Sequence, residues 1–299
     1  LAVNGHPPVA VLTETPIRLD AALADYGQHM WSTDRTIGDF RETLNAKGKE
    51  WSHVKGRIKT SWDIVTAWQK EEPGGNRAPV PPHLARALVA LCLIWGGAWL
   101  EIGALIALGF EAALRPGDLL YLLRSDLRFA HESGIFGSCL FVVLRHSKTA
   151  KTRGARFQHV CVENPFVIAL LWRLYGSRPR TAPLFSCIGS VAQRSLALST
   201  SFTALLRVLR VPTGQARGFV LSGLRAGGIT AYFNATGDLA ACQWRGRWDS
   251  ARTMEHYIQE APMAAAYADL PADVRADITR LSNVLPALLG KAGPSPAVL

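Results

Sequence analysis

The stretch from Glu71 to Pro82 constrains this chain more than any other. It reads Glu-Glu-Pro-Gly-Gly-Asn-Arg-Ala-Pro-Val-Pro-Pro. Proline removes backbone donors and glycine loosens the chain, so a regular element is not expected across that density of both. Residues 73–82 are therefore expected to be a linker. They separate a short part of helical periodicity from a longer part of mixed pattern. The expected organisation is a Pro-rich tail over 1–16, a small helical domain over 17–72, the linker, and a large domain over 83–290. The expected fold class is mainly α with a small β-hairpin or sheet.

In the short part, Leu19, Leu23, Tyr26 and Met30 suit one face of a first helix. Ser32-Thr33-Asp34 can cap a second through Ile37, Phe40 and Leu44. A third is expected from Trp51 to Trp68, with Val54, Ile58, Trp62 and Val65 on one face. In the long part, helices are expected over 82–109, 116–124, 165–176, 200–210, 222–235, 238–245 and 250–258. A last one, over 273–289, places Val274, Ile278, Leu281 and Leu285 on one side. Leu140 to Ser147 and Phe157 to Val162 are β-rich and flank the polar turn Thr149 to Gly154, which predicts a hairpin.

The run Ala87 to Phe110 is apolar enough to require a membrane check. Glu101 and the Gly96-Gly97 pair interrupt it, whereas a spanning helix needs about 20 unbroken apolar residues. Two core helices meeting near the glycines are expected, and no membrane association. No charged segment precedes an apolar one at the start, so no secretory leader is expected. The five cysteines are scattered, without metal-ligand spacing, which points to a reduced intracellular protein without a zinc site or disulfide framework. With 33 Lys+Arg against 23 Asp+Glu, the chain carries a net charge of +10, which suits a polyanionic partner, nucleic acid first. For an intracellular chain that acts on nucleic acid, the expected place is the nucleus in a eukaryote and the cytoplasm or nucleoid in a prokaryote.

Four short motifs follow in order. They are Ala113-Leu114-Arg115-Pro116-Gly117-Asp118, Ser147-Lys148-Thr149 at the hairpin tip, Leu221-Ser222-Gly223-Leu224-Arg225-Ala226-Gly227-Gly228, and Gly246-Arg247-Trp248 followed by Tyr257. Singly each has a plain reading. Arg115 and Asp118 suit a surface pair one turn apart, Lys148 a solvated charge, and Tyr257 or Trp248 a half-buried aromatic.

Together, over about residues 82–260, they resemble the catalytic domain of the tyrosine recombinase (phage integrase) family in order and spacing. The helical part before the linker resembles that family's core-binding domain by position. The resemblance implies roles. Arg115 and Arg225 grip the non-bridging oxygens of a phosphodiester and stabilise its pentacoordinate transition state. Tyr257 attacks phosphorus and forms a covalent phosphotyrosine. Lys148 protonates the leaving 5′ oxygen, and Trp248 packs near the phosphate and donates its indole N–H. Such chemistry uses no cofactor and no metal.

The third motif departs from the family pattern, because Ser222 stands where a histidine is usual. A hydroxyl there hydrogen-bonds but does not act as a base near neutral pH. Arg145, Lys151, Arg153 and Arg156, around Lys148 on the hairpin, suit contact with DNA phosphates. Arg207, Arg210 and Arg217 form a second basic stretch. The implied partner is double-stranded DNA, bound by a homo-oligomer that forms a tetramer on it. In the family the tail helix often docks on a neighbouring protomer; packing on its own domain is the alternative. Three functions remain open: a site-specific recombinase of a mobile element, a catalytically impaired DNA-binding protein of the same fold, and a topoisomerase-like or hairpin-resolving enzyme.

Overall fold

The computed structural model describes residues 15–33, 35–71, 77–133, 139–146, 158–213 and 218–290. The chain divides into two compact units, Leu1–Gly75 and Asn76–Leu299.

The first unit packs α1 (Pro16–Ser32), α2 (Ile37–Glu50) and α3 (Lys59–Glu71) around Leu23, Phe40, Leu44, Val65 and Trp68, all buried. Gly27 admits the Phe40 ring, since a Cβ there would lie 2.4 Å from it. The cap of α2 is Thr36, whose hydroxyl accepts from the Asp39 N–H, rather than Ser32 to Asp34. The expected single helix from Trp51 to Trp68 is broken. A 3₁₀ turn covers Ser52–Val54, and Gly56 then takes φ +81°, which the helical periodicity could not reveal. Asp20 latches α1 to α3. Its carboxylate accepts from the backbone of Thr60 and Ser61 at 2.9 Å each and from the Ser61 hydroxyl at 2.6 Å. Burial raises its pKa, but the hydrogen bonds from Ser61 and Thr60 outweigh that and hold it below the usual value.

In the second unit the apolar run becomes α4 (Pro82–Trp95) and α5 (Trp99–Glu111). Gly96 and Gly97, at φ +68° and +57°, turn the chain between them in a conformation that β-carbons disfavour. Among the described residues no helix is long and apolar enough to cross a membrane. The short α6 (Pro116–Leu120) ends earlier than expected and is followed by a 3₁₀ turn, Arg124–Asp126.

A three-stranded antiparallel sheet follows, in the order β1 (Leu127–Phe129), β2 (Leu140–Leu144), β3 (Gln158–Val162), with the single turn α7 (Ala130–Ser133) after β1. Its register pairs Leu127 with Val142 and Leu140 with Val162. The β2–β3 pair is the expected hairpin; β1 was too short to read from pattern. Helices α8 (Pro165–Tyr175) and α9 (Val191–Val208) complete this part. The latter starts well before the expected 200, at a Ser190–Gln193 capping box.

The site-bearing helices are α10 (Gly223–Thr236), α11 (Leu239–Gly246) and α12 (Ala251–Glu255). They lead into α13 (Glu260–Ala268), a helix that was not among those expected. The tail helix α14 (Ala272–Gly290) lays Val274 and Ile278 against α4, so its apolar face is covered by its own unit.

The strap entering this unit is fastened, not loose. Ala78 bridges Phe219, the Val80 N–H donates to the Gly223 carbonyl at 3.0 Å, and both Ala78 and Val80 are buried. Residues 77–81, expected as linker, thus belong to the packed second unit.

Candidate active site

Four segments meet around Arg225. The first is the turn from Ala112 to Arg115 that connects α5 to α6. Ala113 there takes φ +46°, unusual for a residue with a β-carbon. Two arginines hold that turn. Arg225 Nη1 donates to the Ala113 carbonyl at 2.5 Å, and Arg247 Nη2 reaches the same oxygen at 3.3 Å. Arg115 sits at the start of α6, where the Asp118 carboxylate accepts its backbone N–H at 3.1 Å. The expected Arg115–Asp118 surface pair is therefore not what forms. Asp118 is buried and instead lies 3.6 Å from Arg247 Nη2.

The second segment is α10, which carries Arg225 at 2% exposure. The small residues after it serve packing. A Cβ on Gly227 would lie 2.0 Å from the Val80 carbonyl, and one on Gly228 would lie 1.9 Å from that of Phe110. Ser222 stands at the N-cap of α10, half-buried, without capping it.

The third is the end of α11. Arg247 ends that helix at φ +57°, and this left-handed turn carries its side chain inward. Arg225 Nη2 donates to the Gly246 carbonyl at 2.5 Å. Trp248 is buried, its ring 4.5 Å from the Arg225 guanidinium. A Cβ on Gly246 would lie 1.6 Å from that indole, so only glycine lets the tryptophan fold back.

The fourth is the turn after α12. The helix expected over 250–258 stops at Glu255, leaving Tyr257 in a turn, its N–H on the Met254 carbonyl and its carbonyl receiving the Thr230 hydroxyl. The Tyr257 ring lies 4.7 Å from Trp248 and 5.5 Å from the Arg225 guanidinium. It is half-buried.

Electrostatically the cluster is unbalanced. Burial, then Arg247 and Arg115, push Arg225 down to about 9. Burial likewise lowers Arg247 to about 10, against the help of Asp118. Three guanidinium nitrogens, Arg115 Nη1, Arg225 Nε and Arg247 Nε, are buried without a hydrogen-bond partner among the described residues. Native interiors seldom leave such donors orphaned. An anion is the group that would accept from such donors and offset the crowded positive charge.

No family model matches the sequence, and no curated protein matches it. Solved structures do. The integrase of the Tn1549 transposon, solved in complex with transposon right end DNA, aligns at a TM-score of 0.50 and 14% identity, over 88% of this chain and 85% of that one. The chain has the tyrosine recombinase fold. XerA recombinase also aligns, at a TM-score of 0.45 and 14% identity over 89% and 94% of the two chains. XerH site-specific recombinase bound to difH substrate aligns at 0.45 and 12% over 78% and 69%.

Within this recombinase fold, Arg115, Ser222, Arg225, Trp248 and Tyr257 all lie on the segments just described. Lys148, Lys151, Arg153 and Arg156 lie outside the described residues. Arg145 is exposed and pairs with Asp126 at 2.5 Å. Sequence reasoning missed Arg247 and Arg77. Arg247 stood inside a recognised motif, but only its left-handed turn reveals that it points inward. Arg77 Nη1 donates to the Ser222 hydroxyl at 3.3 Å across a separation no local pattern spans. Of the second basic stretch, Arg210 is engaged with Asp273 and Asp277.

Proposed function

We propose that this chain is a site-specific DNA recombinase or integrase of a mobile element, breaking and rejoining double-stranded DNA through a 3′-phosphotyrosine on Tyr257. The observation that carries this reading is the trio of buried, orphaned guanidinium donors beside a tyrosine ring. A scissile phosphodiester supplies the anion they lack. Arg115, Arg225 and Arg247 would bind its non-bridging oxygens, and donors fixed in a buried site stabilise the charge that develops on them in the transition state. The Tyr257 oxygen gives up its proton to solvent and bonds to phosphorus while the P–O5′ bond breaks, and Lys148 is the assigned donor of the proton the 5′ oxygen takes. A 5′ hydroxyl from a second strand reverses the step and rejoins the DNA. The scheme uses side chains alone.

The remaining assignments follow from the same reading. The unit up to Gly75 is a core-binding domain and the unit from Asn76 the catalytic one. Arg145, Lys151, Arg153 and Arg156 contact DNA phosphates, and four copies assemble on paired sites inside the cell. Solved neighbours of the same fold are recombinases and an integrase, two of them in complex with DNA.

Ser222 favours a second reading, a DNA-binding protein that has lost cleavage, because it supplies no imidazole. One experiment separates the two. The full chain is incubated with a pool of nicked duplexes of randomised sequence, and protein-linked DNA is recovered in SDS. An adduct from wild type that is absent in Tyr257→Phe supports the recombinase. DNA retention without any adduct supports the binding protein, and an adduct surviving in Tyr257→Phe removes Tyr257 as nucleophile.

A further inference from the structure

Ser222 does not stand alone at the mouth of this site. The strap before α4 runs beside the start of α10, held by the Ala78–Phe219 bridge and the Val80-to-Gly223 hydrogen bond. Gly223 and Gly227 allow that approach, since a Cβ on Gly223 would lie 2.6 Å from the Ala78 carbonyl. The strap delivers Arg77, which is exposed, to the Ser222 hydroxyl. Ser222 in turn is half-buried, and Arg225, one helical turn further, is fully buried with Nε unpartnered. Positive charge and donors thus run from the surface inward along one helix end.

We propose that Arg77 and Ser222 act as one device that binds a non-bridging phosphate oxygen in place of an imidazole; the proposal rests on the recombinase reading above. A hydroxyl that accepts from a guanidinium has its oxygen lone pair engaged and its own proton free. The Ser222 O–H therefore points its donor away from Arg77, and Arg77 polarises it. Hydrogen bonds with a charged partner are roughly twice as strong as neutral ones. Ser222 is the group that touches the phosphate, and Arg77 is a positioning residue acting through it.

The test uses the full chain with Arg77→Gln, Arg77→Lys, Ser222→Ala and the Arg77→Gln/Ser222→Ala double variant. Two readouts are taken: the melting-temperature rise produced by inorganic phosphate, and the single-turnover rate of phosphotyrosine formation on nicked DNA. Arg77 is exposed, so the variants should melt like wild type without phosphate. Each single loss is expected to weaken phosphate binding several-fold and to slow adduct formation by about tenfold, the worth of one charge-assisted hydrogen bond. The double variant should be no worse than either single, and Arg77→Lys should recover most of the rate.

Wild-type behaviour by Arg77→Gln in both readouts overturns the device. So do losses that multiply in the double variant, because independent residues act additively in free energy. Phosphate binding with the expected variant pattern but no adduct removes the recombinase reading and leaves the anion device standing. No phosphate binding by wild type removes both.

Discussion

Arg124 and Arg225 are equally hidden, at 4% and 2% exposure, yet they are built to opposite ends. Arg124 spends every nitrogen. Nε donates to the Tyr175 carbonyl at 2.8 Å, Nη1 to that of Leu127 at 3.1 Å, and Nη2 to the Glu132 carboxylate and the Gly176 carbonyl. Arg225 has two carbonyls, an aromatic face and an idle Nε, and its nearest charges include two more arginines. Asp20 in the N-terminal unit belongs with Arg124, its carboxylate receiving two backbone N–H groups and a hydroxyl. A buried charge whose donors are all used holds a fold together. One whose donors are left over, among like charges, is waiting for a ligand.

The largest effect should come from exchanging each arginine for methionine. Arg124→Met strands the Glu132 carboxylate and three carbonyls, so unfolding free energy should fall by about 3–5 kcal/mol. Arg225→Met removes a cation that burial and its neighbours already disfavour. The Ala113 and Gly246 carbonyls lose a donor, but a disfavoured buried cation goes too, so stability should fall by much less, while adduct formation falls by at least about 10²–10³-fold, as when one donor to a developing anion is lost. Denaturant titration and the nicked-DNA assay on both variants check the pair. Equal destabilisation by the two would erase the distinction between a closed and an open arginine.

How far the sequence already carried this distinction can be seen residue by residue. Arg115, Arg225, Trp248 and Tyr257 were singled out because their order and spacing resemble those of the recombinase family, and the fold brings these four side chains to one place. The hairpin was legible because β-rich runs flank a polar turn. Arg247 was not, since whether an arginine after a helix faces in or out depends on one backbone angle. Arg77 was not, because its pairing with Ser222 is tertiary. The break at Gly56 and the stop at Glu255 were missed for a shared reason: apolar spacing continues through both, and periodicity reads side chains rather than backbone. The plain pairing of Arg115 with Asp118 failed because Asp118 is drawn to the Arg115 backbone and to Arg247 instead.

A smaller effect sharpens the comparison through pH. Arg225 at about 9 and Arg247 at about 10 lie below the value an unfolded chain would give them. For a base with a depressed folded pKa, the unfolded state holds more protons above about pH 9. The burden of burying the charge therefore disappears as pH rises through that value, and intrinsic stability gains. Anion binding moves the other way, since the cations are being lost. Sulfate keeps its charge throughout, so the melting-temperature rise it causes should be constant from about pH 6 to 8 and shrink above about 9. Arg225→Met should flatten that fall. A fall that begins near neutrality instead would mean that groups other than these arginines hold the anion.

The smallest effect is expected at Arg210, which looks well bonded and is open to water. Its guanidinium donates to Asp273 and Asp277 at 2.6 Å each, tying the end of α9 to the start of α14, but it is 57% exposed. Water and salt screen such pairs, and holding three flexible side chains together opposes their attraction. Arg210 also takes φ +57°, a conformation that any β-carbon strains. Arg210→Ala removes the ion pairs and keeps the strain, whereas Arg210→Gly removes both. Melting of Arg210→Ala should therefore be nearly indistinguishable from wild type at moderate salt, with Arg210→Gly slightly above Arg210→Ala. The anion-induced rise should be unchanged in both, because Arg210 has carboxylates where Arg225 has none bonded to it. A loss of anion response in Arg210→Ala would mean that the open arginines draw on charge far outside their own cluster.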